Sequence, residues 1–182
     1  MVARLIVVLC TLMISACSIK ANEYSFSPEN VQALREAGSS KVRLGAVTSQ
    51  MKDESAGIHL RAASMVSPYG SYAAYLKEAL RQELEEAGRL TIDSDAEISG
   101  TLTKNEFDAS GISVGEGALA AVFTVRRGGK PVYERIHEAK ITWESAFSGA
   151  VAIPRAVGEY RKLMQKLVQQ LLHDPAFLEA IR

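Results

Sequence analysis

The sequence predicts an α+β fold, a two-layer sandwich in which a mostly antiparallel sheet is covered on one face by two amphipathic helices. Two segments have apolar residues at spacings of three and four, which is typical of helices that pack on a core. Several other segments alternate apolar and polar residues, which is typical of half-buried strands. With 182 residues, 47% of them apolar and 23% charged, one globular domain is expected.

The first elements of the mature fold are predicted from local signals. Residues 18–26 are polar and are expected to form an irregular tether. A short helix then follows, because Ser27 can cap it, Pro28 suits its first position and Gly38 can end it.

The first half of the predicted domain combines two strands with a helix. Alternation over about 41–48 and again over 58–62 indicates two strands that could form a hairpin. Residues 65–70 are interpreted as a loop. The first core-packing helix is expected over 71–87, with Ser71 as its cap and Gly88 as its stop.

The second half predicts three strands and the second core helix. The strands are expected at about 96–107, 119–125 and 131–143, and the Gly128-Gly129 pair supplies the positive φ angles of the tight turn between the last two. A connection over 144–153 leads to the second core helix, which is expected to begin at Pro154. Asp174-Pro175 begins a short terminal helix.

The N-terminal segment is typical of an export signal. Arg4 precedes an apolar run from Leu5 to Ile14. Its length of about 10 residues fits the apolar region of a signal peptide and falls short of the ~20 residues of a spanning helix. The sequence Ile14-Ser15-Ala16-Cys17 that ends it resembles the lipobox of bacterial lipoproteins. An ordinary secretory signal with an incidental cysteine is the alternative.

The resemblance to bacterial lipoproteins implies a specific fate for this segment. Residues 1–16 would be a lipoprotein signal peptide, and Cys17 would become the first mature residue and the site of lipid attachment. Residues 17–40 would be a lipidated tether with a short helix, and residues 41–182 the α+β domain. Ser18 stands where an Asp commonly retains lipoproteins at the inner membrane, so the resemblance implies the outer membrane, with the domain facing the periplasm.

Cysteine and charge counts exclude several chemistries from the mature chain. The two cysteines are Cys10, lost with the signal peptide, and Cys17, which would be acylated, so no disulfide, thiolate metal ligand or cysteine nucleophile is expected. The full sequence has 21 basic residues (Lys and Arg together) and 21 acidic residues (Asp and Glu together). This balance gives no electrostatic case for nucleic-acid binding.

No motif predicts a catalytic, cofactor or metal site. Gly115, Gly117 and Ala120 fit a loose phosphate-loop pattern, but strand-like residues follow them, so a hairpin loop is favoured. Asp93 and Asp95 lack the further ligands of a calcium loop.

The remaining polar candidates also lack partners at the required spacing. The three histidines are far apart and are expected to be structural or partly exposed: His59, His137 and His173. Ser148-Gly149 lacks the glycine that a nucleophile elbow requires before its serine.

Three groups of surface or aromatic residues are candidates for contacts. Arg126, Arg127 and Lys130 could touch lipid phosphates, although a solvated turn is favoured. Trp143 and Phe147 could form an apolar contact site, although closure of the core is favoured. Tyr72 and Tyr75 could stack on a ligand or lie at a membrane interface, although packing on the sheet is favoured.

The order of elements and the Tyr-x-x-Tyr-Leu-Lys-x-Ala-Leu helix at Tyr72–Leu80 resemble small accessory lipoproteins of envelope transporters and of polysaccharide and curli export. The resemblance implies a non-catalytic accessory protein, held by outer-membrane lipid through Cys17 and bound to an envelope protein or to itself. A carrier that holds a lipid or another apolar ligand between sheet and helices is the alternative. A hydrolase is the least favoured class.

Overall fold

The computed structural model describes residues 18–51, 57–61 and 63–182. The predicted signal peptide, Cys17 and Ala62 therefore lie outside the described residues. In chain order the elements are β1 (Ser18–Lys20), α1 (Pro28–Glu36), β2 (Arg43–Ser49), β3 (Ile58–Leu60), β4 (Ala63–Val66), α2 (Tyr72–Glu86), β5 (Ala96–Asp108), β6 (Val114–Arg127), β7 (Lys130–Glu144), α3 (Gly149–Leu172) and α4 (Pro175–Ala180).

The larger sheet confirms the predicted α+β class. Its strand order is β2-β5-β6-β7, in which β5, β6 and β7 are antiparallel and β2 runs parallel to β5 at the edge. Helices α2 and α3 cover one face, with α2 against β2 and β5 and α3 against β6 and β7. Side chains of α3 such as Tyr160, Leu163 and Leu167 are fully buried between the layers.

Local signals placed α1, α2 and the β6–β7 turn correctly. The Ser71 hydroxyl accepts a hydrogen bond from the Ala74 backbone at 3.0 Å and caps α2, and Gly88 beyond its end has φ +72°. Gly128 and Gly129 adopt φ +56° and +81°, as the tight turn requires. The described helices include none with the length and apolar character to cross a bilayer.

The predicted hairpin between residues 41–48 and 58–62 is wrong. Strand β2 pairs with β5, whereas β3 pairs with β4 in a separate three-stranded sheet of order β1-β4-β3. Alternation identifies a half-buried strand but does not specify its partner, and here β2 is joined to β5 across α2. Residues 65 and 66, predicted as loop, complete β4, and Met65 is fully buried.

The predicted irregular tether is wrong for residues 18–20, which form a strand, whereas residues 21–26 are irregular as expected. Ser18, Ile19 and Lys20 form β1, parallel to β4, and the Ala21 backbone donates to the Val66 carbonyl at 2.9 Å. Tyr24 is 4% exposed. Residues 18–24 are therefore part of the folded structure.

Two further boundaries differ from expectation. Helix α3 begins at Gly149, five residues before Pro154, because Ala150 and Ala152 favour helix and Ala152 is buried against the core. Strand β6 begins at Val114, so Gly115 and Gly117 lie within a strand instead of in a hairpin loop.

The long strands give the molecule two poles. The entry pole contains the start of β1, the β3–β4 turn, the β5–β6 loop and the start of α3. The turn pole contains the β6–β7 turn and residues 91–95, since Gly128 donates to the Asp95 carbonyl at 3.1 Å. Strand β6 runs from one pole to the other over 14 residues, or roughly 43 Å at a rise of about 3.3 Å per residue.

Candidate functional site

The chain enters the fold at the entry pole, directly after Cys17. Ser18 pairs with Ser64 at the beginning of β4, beside the β3–β4 turn that contains Arg61. Paired strands lie about 4.8 Å apart, and three residues of chain span at most about 11 Å. The residue expected to carry lipid thus precedes an ordered strand at this pole, although Cys17 itself lies outside the described residues.

Arg61 holds the loops of the entry pole together. Its guanidinium donates hydrogen bonds of 2.7–3.0 Å to four backbone carbonyls, those of Ala109, Gly111, Ala146 and Phe147. These carbonyls belong to the β5–β6 and β7–α3 loops. Arg61 has φ +57°, an uncommon conformation for a residue other than glycine, and from there its side chain reaches both loops.

Trp143 forms the base of this pole. Its indole stacks on the Phe107 ring, with centroids 4.6 Å apart and an angle of 23° between the planes. The indole lies directly over Gly115, where a Cβ atom would overlap it, and a Cβ at Gly117 would come within 2.7 Å of Phe107. The glycines that matched a loose phosphate-loop pattern therefore make room for aromatic side chains.

Four large apolar side chains project from the entry pole into solvent. Their exposed fractions are 66% for Ile112, 56% for Val114, 82% for Phe147 and 43% for Val151. The Ser145 backbone donates to the Ser113 carbonyl at 2.8 Å, so the two loops that carry most of them are adjacent. We call these four residues the entry-pole patch.

The structure divides the predicted Trp143 and Phe147 pair. Trp143 is 8% exposed and closes the core, whereas Phe147 is exposed and belongs to the entry-pole patch. Tyr72 and Tyr75 are 3% and 0% exposed, so they pack in the core as favoured. Their hydroxyls donate to the carbonyls of Met65 and Asn22 at 2.6 and 2.7 Å.

The basic residues predicted as a lipid contact lie at the turn pole, far from the chain entry. Arg127 donates to the Ala180 carbonyl at 3.1 Å and Arg126 to the Ser99 hydroxyl at 3.4 Å. Two of the three cations thus contact the fold itself. Lys130 is exposed at the same turn.

A buried carboxyl joins the entry segment to α2. Glu83 is 1% exposed, and its Oε1 accepts hydrogen bonds from the Tyr24 hydroxyl at 2.5 Å, the Ser27 backbone at 3.0 Å and the Asn30 amide at 3.1 Å. Burial raises the pKa of the Glu83 carboxyl above its ordinary value. These hydrogen bonds link the N-terminal segment and α1 to helix α2.

The histidines do not converge. His137 is hydrogen-bonded through Nε2 to the Tyr133 hydroxyl at 2.6 Å, and that hydroxyl donates to Asp174 at 2.8 Å. Asp174 also accepts from the Ala176 backbone at 2.9 Å and caps α4, which gives this cluster a structural role. Burial lowers the pKa of the His137 imidazole. His59 and His173 are exposed.

The structure brings no metal-binding group together within residues 18–51, 57–61 and 63–182. Asp93 and Asp95 lie in the short segment before β5, as the turn interpretation expects. A depression of about 420 Å³ lies across β5, β6 and β7 beside Lys104, Glu106 and Lys140. Lys104 forms ion pairs with Glu106 at 3.1 Å and with Glu138 at 3.5 Å, so its charge is balanced.

Sequence reasoning missed Arg61, Glu83, Ile112 and Val114. An arginine in a short polar stretch and a glutamate in an amphipathic helix look like ordinary surface residues. Only the long-range contacts distinguish them. The succession of Ile112 and Val114 with Gly111 and Gly115 was a signal, because apolar residues in a glycine-bearing hairpin loop are unusual.

No family model matches the chain, and no curated protein matches it. Among solved structures, protein XCC0632 of Xanthomonas campestris, from the family DUF330, has a TM-score of 0.58 and 15% identity, over 86% of this chain and 93% of that one. A Caulobacter crescentus protein with a provisional lipoprotein designation has a TM-score of 0.49 and 12% identity, over 84% and 96%. A minor lipoprotein of Acinetobacter baumannii has a TM-score of 0.45 and 15% identity, over 76% and 92%. At such identities the likeness concerns the fold alone, and the chain therefore shares the fold of the Xanthomonas protein.

Proposed function

We propose that this chain is a non-catalytic, lipid-anchored accessory protein of the bacterial outer membrane, facing the periplasm. One observation carries the proposal. The lipobox at residues 14–17 directly precedes Ser18 in the sequence, and Ser18 begins β1 opposite Ser64 at the entry pole. Two or three acyl chains at Cys17 hold a protein on a bilayer durably, whereas a single chain does not.

The side chains of the described domain support a role in binding instead of catalysis. The polar cluster of Tyr133, His137 and Asp174 caps a helix and joins it to β7. Ser148 precedes α3 as its cap residue. A binding protein that is confined to a membrane surface meets a partner there at a raised effective concentration, which is the physical advantage of the anchor.

The packing supports the accessory role more than it supports a carrier of a lipid or another apolar ligand. Between the larger sheet and the helices, Phe123, Tyr160 and Met164 are fully buried in a shared apolar core. A lipid at that position would have to displace such side chains, at a cost of core contacts.

The test of the anchor is a comparison of Cys17→Ser with Cys10→Ser in growing cells. We expect Cys17→Ser to abolish acyl labelling and to release the protein from the membrane fraction. Cys10→Ser is the matched control, because it removes a thiol from the segment that is predicted to be cleaved, and we expect it to keep both properties. Unchanged labelling and fractionation of Cys17→Ser would refute the proposal.

Density-gradient separation of the two membranes tests the outer-membrane location. We expect the wild-type chain in the outer-membrane fraction and Ser18→Asp in the inner-membrane fraction. Ser18 is exposed in β1, so the substitution leaves the core unchanged. Wild-type protein in the inner membrane would contradict the proposed location.

The partner is proposed to be a component of an envelope transport, export or assembly system, or a second copy of the chain. Crosslinking in intact cells tests this part of the proposal. We expect a discrete product that contains the chain and an envelope protein or another copy. The accessory role would be refuted if the crosslinked cells contained the chain only as a monomer.

A further inference from the structure

We propose that the entry-pole patch of Ile112, Val114, Phe147 and Val151 docks into the headgroup region of the leaflet that holds the acyl chains on Cys17. The partner is a lipid surface, and the inference rests on the proposed lipid anchor. It adds an orientation in which the strands of the larger sheet extend away from the membrane and the turn pole faces the periplasm.

The connection between the lipid on Cys17 and the fold is short. Ser18 belongs to the three-stranded sheet, where it lies opposite Ser64. Only one peptide link joins Ser18 to Cys17. Consecutive Cα atoms lie 3.8 Å apart. The entry pole therefore stays close to the glycerol level of the lipid, and the surface beside Ser18 faces the bilayer.

The exposed side chains of the entry-pole patch suit an interfacial lipid environment. Phe147 is 82% exposed and Ile112 66% exposed, and both project from loops whose carbonyls are held by Arg61. A rigid loop with exposed aromatic and aliphatic side chains can insert apolar groups ~5–10 Å into the boundary between headgroups and acyl chains. The backbone polar groups that Arg61 occupies need not lose water when the pole approaches the membrane.

The entry-pole patch is small and lies opposite the basic turn. Four side chains expose on the order of a few hundred Å², which is less than the roughly 800 Å² that each partner of a stable protein complex buries. A lipid surface needs no such area, because the anchor already holds the domain in place. The cations Arg126, Arg127 and Lys130 lie at the opposite pole.

The experiment compares fluorescent probes at the two poles of the lipidated protein. Phe147→Cys places a thiol in the entry-pole patch, and Ile92→Cys is the matched control at the turn pole, where Ile92 is 88% exposed. Both substitutions leave the core intact because both side chains are exposed, and the hydrogen bond from Arg61 reaches the backbone carbonyl of residue 147, which the substitution keeps. Each variant is labelled with an environment-sensitive maleimide and reconstituted into phosphatidylethanolamine and phosphatidylglycerol vesicles.

Lipids with a nitroxide near the headgroup report contact with the membrane. We expect these lipids to reduce the fluorescence of the probe at position 147 by about half, because that probe would lie at the level of the headgroups. We expect the fluorescence of the probe at position 92 to stay unchanged. Equal quenching at both positions, or none at position 147 in protein that floats with the vesicles, overturns the inference.

Two additional readouts distinguish this failure from failure of the anchor. Protein that does not float and keeps a reactive thiol at Cys17 refutes the proposed function, and the inference with it. Crosslinking between two copies through position 147, without quenching, assigns the patch to a protein contact and also overturns the inference. Matching thermal unfolding of the two variants confirms that both are folded.

Discussion

Two arginines hold segments of this protein through backbone carbonyls. Arg61 donates to four carbonyls at the entry pole. Arg89 is 1% exposed and donates to the carbonyls of Ser40, Leu34 and Ile181 at 2.8, 3.2 and 3.1 Å. Leu34 and Ile181 lie at the ends of α1 and α4, where unpaired carbonyls favour a cation. Burial lowers the pKa of Arg89, and these acceptors offset part of its desolvation.

The contribution of Arg61 is tested by Arg61→Gly. Glycine accepts the φ of +57° without strain, so the substitution removes the donors and leaves the turn conformation favourable. We expect the free energy of unfolding to fall by about 2 kcal/mol, because carbonyls in two loops lose their donor. Urea denaturation followed by circular dichroism measures this change.

Arg81→Ala is the control for Arg61→Gly. Arg81 lies on the outer side of α2 and forms ion pairs with Glu78 and Glu85, so we expect a loss of less than ~1 kcal/mol. Equal effects of the two substitutions would show that the Arg61 hydrogen bonds contribute no more than a surface ion pair.

The aromatic base of the entry pole is tested by Gly115→Ala. The added Cβ would overlap the Trp143 indole, and we expect a loss of about 1–3 kcal/mol together with a red shift of fluorescence. Trp143 is the single tryptophan, so the emission reports on this position alone. Gly158→Ala in α3 is the matched control, where a Cβ meets no atom within 4 Å and helix propensity predicts a gain of up to ~1 kcal/mol. An unchanged spectrum for Gly115→Ala would contradict the described packing.

At the scale of elements, Glu83 joins three parts of the chain. Its carboxyl accepts hydrogen bonds from the entry segment and from both ends of the turn into α1, while its backbone belongs to α2. Because burial raises its pKa, folding favours the protonated carboxyl. The strength of these contacts therefore depends on pH.

The pH dependence follows from the direction of that shift. The contribution of the protonated Glu83 carboxyl to stability is complete below the pKa of about 4.3 that it has in the unfolded chain. This contribution is lost as the pH rises through the higher pKa that the carboxyl has in the folded protein. We expect the free energy of unfolding of the wild-type protein to fall with rising pH in this window. Glu83→Gln keeps the shape without the titration and should flatten this fall, so that it is at least as stable as wild type at pH 8. A wild-type profile that matches Glu83→Gln at every pH would contradict the shift.

Elements with local signals were predictable, and elements that depend on distant partners were not. Helix α2 has a capping serine and a terminal glycine, and the β6–β7 turn has its glycine pair, so their positions follow from short stretches of sequence. Strand β1 has only three residues and exists because β4 pairs with it 46 residues away along the chain. The parallel pairing of β2 with β5 depends on α2 in the same way.

The candidate site shows the same division. The lipobox is a local motif and predicts the anchor at Cys17, whereas the entry-pole patch depends on which loops meet. Trp143 and Phe147 are four residues apart, yet one is buried under Gly115 and the other is exposed. No pattern in the sequence separates them, because the difference arises from the pairing of Trp143 with Gly115 of β6, whereas Phe147 lies in the loop after β7.

At the scale of the whole molecule, the proposed orientation depends on the short link at the entry pole. Insertion of ten Gly and Ser residues between Cys17 and Ser18 would add a flexible span of roughly 16–19 Å. We expect the acylated protein to stay in the membrane fraction while quenching of a probe at position 147 decreases. If quenching were unchanged, the patch would bind lipid without help from the short link.

The proposed function requires Cys17 to be the lipidated first residue of the mature chain. Mass spectrometry of the N-terminal peptide of protein purified from membranes tests it most directly. We predict a peptide that begins at Cys17 and carries the mass of a diacylglycerol thioether with a further acyl group. A mature chain that retains residues 1–16, or one with a free thiol at Cys17, would refute the proposed lipid anchor.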